Sequence, residues 1–318
     1  MIYNLHLPRK KRIQITNYLT FSSPNPFSIS VATPGWDGKL YCSTDTVTWA
    51  EWTGSEANAA KIGGNYALYF AGTGNTKIAG NSSNKWTLNG SSIFCTGNIE
   101  NLLDYETVAA GQHPAMANYC YGYMFRGCTS LTRAPSLPAT TLADNCYYSM
   151  FNGCTSLITA PSLPATTLAG SCYFYMFNGC TSLTTAPSLP ATTLANNCYG
   201  YMFYGCTSLT TAPSLPATTL ANNCYNSIFR GCTSLTRAPS LPATTMANYC
   251  YYSMFYGCTS VKLAISKSSE YDKEYRIPKS GNGVTATRAL DNMFTRTGGT
   301  FTGTPEINTT YYTSNTIV

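Results

Sequence analysis

A block of 26 residues recurs almost unchanged through the middle of this 318-residue chain. MFNGCTSLTTAPSLPATTLANNCYGY begins at Met176, with near copies at Met124, Met150, Met202 and Ile228. A sixth copy starts at Met254 and soon decays. A fixed period of roughly 20–50 residues marks a chain of stacked units, each held only by its neighbours. Such a chain presents one repeated surface, which favours recognition over catalysis.

Charge is scarce. Only 10% of residues are charged, against roughly a quarter in an ordinary domain. Between Met124 and Cys258 the ionised side chains are Arg126, Arg133, Arg230, Arg237 and Asp144. Holding nucleic acid needs a denser basic stripe, so the repeats are not expected to bind it despite a net charge of +6. The start, MIYNLHLPRKKRIQI, lacks the order of a secretory signal. No stretch approaches the ~18 apolar residues of a membrane span. Cytosolic synthesis without membrane insertion is therefore expected, with Arg9-Lys10-Lys11-Arg12 in a solvated basic arm over residues 1–26.

Twelve of the fourteen cysteines sit at two phases of the repeat: Cys120, Cys146, Cys172, Cys198, Cys224 and Cys250, then Cys128, Cys154, Cys180, Cys206, Cys232 and Cys258. Their spacings alternate between eight and eighteen residues, without a C-x-x-C knuckle and with only two histidines. That pattern argues against zinc. A thiol recurring at one phase is more simply a small buried hydrophobe stacked on its equivalents. Free thiols are expected, with no metal and no cofactor.

Within a unit, counted from Met150 as zero, Leu142 (−8), Cys146 (−4) and Phe151 (+1) follow the spacing of a helical face. This predicts a short helix over 141–151, capped by Thr140 or Thr141 and ended at Gly153. Cys154, Leu157 and Ala160 then form a short extended segment, and Pro161 and Pro164 stiffen the bend that follows. Stacked units would align these segments into a parallel sheet.

The stretch Met150-Phe151-Asn152-Gly153-Cys154-Thr155-Ser156-Leu157, followed by Pro161, resembles the BspA-like leucine-rich repeats, whose units carry Ala-Phe-x-x-Cys-x-x-Leu and then a proline. The resemblance covers residues 116–265. This repeat is longer, with a Pro-x-Leu-Pro bend and a second cysteine. The resemblance implies a solenoid serving as a binding scaffold, of the kind found in surface or virion-associated proteins of bacteria and their phages, and it implies no catalytic residue.

The fold class expected is thus α+β: a leucine-rich-repeat-type solenoid over 106–265, with a short strand, proline-rich bend and short helix per coil. Met116 stands where later coils have Leu142 or Leu168, so residues 114–125 supply the first helix. At the far end Met293-Phe294 and Pro305-x-Ile307 echo the repeat, with Ala289 and Thr297 in place of its cysteines. Residues 284–310 are therefore expected as a degenerate capping coil within a segment of 266–318. The charged insertion 267–279 is expected to loop out before it.

Residues 27–105 lack the repeat. Short alternating runs at 27–32, 39–43, 46–52, 66–70, 85–88 and 92–95, separated by Gly, Asn, Ser and Pro, predict a small antiparallel β-sandwich. All four tryptophans, Trp36, Trp49, Trp52 and Trp86, lie there. They are expected in its core, the alternative being an exposed sugar-stacking set.

Chemistry is hard to place. His6 and His113 are the only histidines, and Glu100, Asp104 and Glu106 show no sign of a paired site. No nucleophile elbow, phosphate loop or dinucleotide fingerprint occurs. A non-enzymatic protein is expected.

The copies differ mainly at −6, −5, −2, −1, +2 and +9. At −2 and −1 the pairs are Gly122-Tyr123, Tyr148-Ser149, Phe174-Tyr175, Gly200-Tyr201, Asn226-Ser227 and Tyr252-Ser253. At +2 stand Arg126, Asn152, Asn178, Tyr204, Arg230 and Tyr256. On a helix these positions face away from the core phases −8, −4 and 0. Drift on an exposed helix would admit Lys, Glu, Gln and Ala, yet these are absent. The alphabet of Tyr, Asn, Ser, Gly, Arg and Phe, with one Asp, resembles that of antibody paratopes.

Tyr123, Arg126, Tyr148, Tyr175, Tyr201, Tyr204, Arg230, Tyr252 and Tyr256 are thus the expected partner-binding residues, facing a protein or glycan on a bacterial cell. The expected protein is a phage or prophage virion component, found in the virion or extracellularly. Its amino-terminal region would contact other virion proteins, and oligomerisation is left open. The alternatives are a bacterial surface adhesin and a carbohydrate-binding module using the tryptophans.

Overall fold

The computed structural model describes residues 14–318; the basic cluster at 9–12 and His6 lie outside the described residues. The chain is α+β and rich in sheet, with one α-helix, Asn101–Ala109, and one 3₁₀ turn, Ser82–Asn84, among the described residues. That helix is interrupted at Asp104, whose backbone is extended. No helix among the described residues is long and apolar enough to cross a membrane.

The amino-terminal region builds two sheets around one aromatic core. The larger runs Leu131–Arg133, Ile93–Thr96, Leu19–Ser23, Asn65–Thr73, Lys39–Ser43 and Ala50–Glu51, with Ala60–Ile62 also on Asn65–Thr73. The smaller joins Ala57–Asn58, Ser28–Ser30 and Thr87–Asn89. Leu19–Ser23 shows the burial alternation of a half-buried strand and pairs on both edges. It therefore belongs to the sheet and not to the arm expected over 1–26. Its Phe21 meets Phe70 edge-on at 5.7 Å and stacks on Trp86 at 5.9 Å. Trp52 and Trp86 are buried, whereas Trp36 and Trp49 are half-buried.

In the repeats the expected helix over 141–151 is replaced by a ribbon of consecutive turns. The N–H groups of Cys146, Tyr148, Met150, Asn152 and Cys154 each donate to the carbonyl three residues back. The intervening N–H groups of Asn145, Tyr147, Ser149, Phe151 and Gly153 donate instead to Gly170, Cys172, Phe174, Met176 and Asn178 of the next unit, at 2.7–3.0 Å. Every second N–H thus ties one unit to the next, which an α-helix, closing its bonds internally, could not do.

The backbone turns left-handed every fourth residue: Asn145 (φ 58), Ser149 (φ 52) and Gly153 (φ 74). Asn and Gly tolerate that conformation best, and positive φ at the third residue is what a type II turn requires. The four-residue turn period also explains why the apolar spacing suggests a helix. A ribbon of period four and a helix of period 3.6 put the same residues on one side. Residues 114–125 likewise open the ribbon and form no helix, with Tyr119, Tyr121 and Tyr123 donating to Asp144, Cys146 and Tyr148.

Stacking repeats each side chain on its equivalent. Tyr121, Tyr147, Tyr173, Tyr199, Tyr225 and Tyr251 form a buried column with centroids 5.6–5.9 Å apart and planes within 8°. This −3 phase is core although the helical spacing does not mark it so. The −8 phase is less interior than expected, with Leu142, Leu194 and Leu220 half-buried. A second column runs Phe125, Phe151, Phe177, Phe203, Phe229, Phe255 and Phe294 at 5.5–5.8 Å. Such pairs contribute about 0.5–1.5 kcal/mol each beyond area burial.

The extended segments meet only as single parallel bridges, Arg133 to Thr159, Thr185, Thr211 and Arg237 in turn. Leu157 and Leu183 are fully buried between units. Replacing either with Ala is expected to cost about 2–5 kcal/mol, measured as a fall in the denaturation midpoint. A loss of less than about 1 kcal/mol would contradict this packing.

All fourteen cysteines are unpaired thiols, and the twelve of the repeats are buried. The second phase has its own role: Cys154, Cys180, Cys206, Cys232 and Cys258 each point Sγ at the Phe carbonyl of the preceding unit at 2.9–3.1 Å. Burial pushes Cys146, Cys180, Cys198 and Cys258 up to about 12. Since the thiolate is the reactive form, a maleimide at neutral pH should label at most the half-buried Cys42 in native protein and all fourteen in denaturant. Rapid native labelling of several thiols would overturn the assignment.

Both ends of the stack are covered. Phe125 packs on Phe21 and Trp86, and Leu131–Arg133 joins the amino-terminal sheet in parallel to Ile93–Thr96. At the other end Tyr251, Ser253 and Phe255 donate to Ala289, Asp291 and Met293, so the degenerate unit stacks like the others. The insertion 267–279 does not loop out. Its Lys273–Arg276 pairs with Thr310–Thr313 in a four-stranded sheet, burying Tyr271, Tyr275 and Ile277. These apolar residues within a charged segment explain its docking.

Candidate recognition surface

The turn ribbon decides where the variable side chains go. Positive φ recurs at −5, −1 and +3 in every unit, and at +3 the first six units all place glycine, from Gly127 to Gly257. At −5 the residues are Tyr119, Asn145, Ser171, Asn197, Asn223, Tyr249 and Arg288; at −1 they are Tyr123, Ser149, Tyr175, Tyr201, Ser227, Ser253 and Asn292. Part of the variable alphabet is therefore conformational, because Asn enters the left-handed region readily. Tyrosine has no such ease. A bulky side chain there is held against a cost of order 1–2 kcal/mol.

The expected outward face is corrected at six places. Gly122, Ser149, Gly200, Asn226, Ser227 and Ser253 are buried. Two of them, Gly122 and Gly200, lie against the rings of Tyr119 and Phe174. A Cβ on Gly200 would come within 2.5 Å of the Phe174 ring, so that glycine makes room for its neighbour.

The larger variable residues all reach the surface. Arg126 and Tyr204 are exposed, while Tyr123, Tyr148, Tyr175, Tyr201, Arg230, Tyr252 and Tyr256 are half-buried. The structure brings most of them into one stripe. Tyr123 lies 5.2 Å from Tyr148, Tyr148 stacks on Phe174 at 5.4 Å, Tyr175 stacks on Tyr201 at 4.7 Å, and Tyr201 reaches Tyr204 at 6.2 Å. Arg126 lies over Tyr123 at 5.7 Å. The Arg230 guanidinium sits between Tyr204 (5.6 Å) and Tyr256 (4.3 Å). Burial, with the Tyr123 and Tyr175 phenols beside it, pushes the Tyr148 hydroxyl up to about 12.

Five members were missed from the sequence. Tyr119 and Tyr249 occupy the −5 phase, Phe174 the −2 phase, and Arg288 and Arg296 the −5 and +3 phases counted from Met293. Tyr119 packs on Tyr148, Arg288 lies over Tyr249 and Tyr252, and Arg296 lies over Tyr256. Counting phases into the last, degenerate unit would have found the two arginines.

Elsewhere the fold makes one pairing that the sequence does not foretell. His113 Nδ1 lies 2.8 and 2.9 Å from the carboxylate oxygens of Glu100, which is wholly buried. Asp104 accepts from Gly74 and Thr107 backbone N–H groups and from the Thr73 hydroxyl. These bonds fix the turn into the first repeat. No family model, curated protein or solved structure matches this chain.

Proposed function

We propose that the repeats form a leucine-rich-repeat-type solenoid whose Tyr/Arg stripe is the contact face of a non-enzymatic recognition protein. Its best-fitting setting is the virion of a phage or prophage, where the stripe would engage the surface of a bacterial host. The unit-to-unit bonding supports the solenoid, and the likeness to BspA-like repeats supports the setting. One observation carries the recognition reading. Five tyrosines, Tyr119, Tyr123, Tyr175, Tyr201 and Tyr249, are held at positive φ between 55 and 64. Asn, which enters that region more readily, or the much smaller Ser stands at the same phases in other units. Strained backbone positions cluster at functional sites, and here they carry the largest side chains of the stripe.

Aromatic and arginine side chains dominate protein recognition energetics, and here they line a surface over a core that changes little from unit to unit. The test is attachment of the labelled full-length chain to a panel of bacterial cells, with Tyr123, Tyr175 and Tyr201 replaced together by Ser. Selective attachment lost in the variant supports the reading. Attachment equal in both forms refutes it.

A further inference from the structure

The stripe changes character along its length. From Tyr119 to Tyr204 its rings lean mainly on one another. Beyond Tyr204 arginines take over. Arg230 lies over Tyr204 and Tyr256, Arg296 over Tyr256, and Arg288 over Tyr249 and Tyr252. Only Arg288 has a carboxylate partner, Asp291 at 2.9 Å; Arg230 and Arg296 enter no ion pair among the described residues. Three guanidiniums against one carboxylate leave this end with an excess of two positive charges.

The cluster is also costly to hold. Arg288 and Arg296 have φ of 51 and 60, and Arg296 stands at the phase where six units place glycine. A ring beneath a guanidinium orients its planar fork while leaving the N–H edges free for bidentate bonding to an anion.

We infer that this end of the stripe is a subsite for the acidic groups of an anionic polysaccharide, an inference that rests on the stripe being the recognition surface. Three features favour that class. The unpaired arginines demand negative charge. The −6 to +2 variable positions carry no Leu, Ile, Val or Met, so the surface offers ring faces and hydrogen-bonding edges in place of aliphatic area. The faces of Tyr252 and Tyr256 are taken by arginines, which denies nucleobases their stacking platform. What remains open is a row of phenol rims and guanidinium edges, suited to sugar hydroxyls and acidic groups.

The repeats themselves supply variants that should fold. Asn stands at the Arg230 phase in Asn152 and Asn178, and Gly at the Arg296 phase elsewhere. The full chain carrying Arg230→Asn and Arg296→Gly is compared with the unchanged chain on immobilised polygalacturonate, alginate and dextran sulfate, with neutral dextran and duplex DNA as controls. The expected result is binding to at least one acidic glycan that weakens with added salt, no binding to dextran, weaker binding to DNA, and a loss of about tenfold or more in the variant. The variant should melt no lower than the parent.

Binding to none of the three acidic glycans overturns the inference, as does DNA binding as tight as the best glycan, or an unaffected variant. Cell attachment separates the two proposals. If the Tyr→Ser variant loses attachment but the arginine variant keeps it, the acidic subsite fails and the recognition surface stands. If no cell is ever bound while the acidic glycan is, the host reading fails and the subsite stands.

Discussion

Raised from neutral pH to about pH 10, the protein is expected to unfold in one steep transition, because its stacked thiols and phenols cannot ionise where they lie. Burial pushes Cys128, Cys146, Cys180, Cys198, Cys250 and Cys258 from 9.0 up to about 12. A group whose value is raised in the folded state stabilises fully below its unfolded value and loses that contribution as pH climbs toward the folded one. One unit above 9.0, each thiol has surrendered on the order of 1 kcal/mol. The six together surrender several kcal/mol, comparable to the whole stability of a typical domain.

Cys95, Cys120, Cys154, Cys172, Cys206, Cys224 and Cys232 are raised for the same reason and steepen the loss. The buried tyrosine column joins above its ordinary value of 10.0. The midpoint should fall between about pH 9.5 and 10.5. Thiolate absorbance should rise as circular dichroism is lost, in a single step. A chain that remains folded past about pH 11, or that titrates its thiols gradually while folded, would contradict the packing of these columns.

Much of the fold was legible because a repeat states its core many times. Phases held by Met, Phe and Cys in copy after copy, with that of Leu157, had to be interior, and all of them are. Strand Lys39–Ser43 was legible to the residue, as a short run carrying Leu, Tyr and Cys bounded by turn residues. The helix per unit was not obtained, because spacing alone does not separate a four-residue turn ribbon from a helix. The distinguishing signal was Asn, Ser and Gly recurring every fourth residue, a poor helix composition that favours turns, with Gly and Asn suited to the left-handed region. The Tyr121 column escapes a reading by composition because tyrosine is ordinarily half-exposed. No pattern in the sequence announced that Glu100 meets His113, as their approach depends on the turn leaving the helix.

The ends of the stack were harder for another reason. Leu19–Ser23 and the insertion 267–279 lie beside charged runs, yet each carries the apolar residues that close the molecule. The amino-terminal sheets are thus continuous with the repeats through Trp86, Phe125 and Leu131–Arg133. Removing residues 1–105 would bare Phe125 and Tyr121 to water. Substitution within the full chain, and not truncation, is the sound way to locate the binding face.

The central claim is tested most directly by Tyr123→Ser, Tyr175→Ser and Tyr201→Ser combined. Ser149, Ser227 and Ser253 already hold the same phase with φ of 52, 53 and 50, so the backbone needs no change. Each substitution gives up half-buried ring contacts but leaves the backbone conformation as it is. The melting temperature should move by only a few degrees.

Binding should not survive so well. Truncating a hot-spot aromatic costs about 2 kcal/mol or more, so losing three should reduce affinity for the bound cell at least about a hundredfold. The measurement is the cell-binding isotherm of parent and triple variant, with melting curves taken on the same samples. Unchanged melting with attachment lost is the predicted result. Equal attachment by both forms, with melting preserved, would contradict the stripe as the recognition surface.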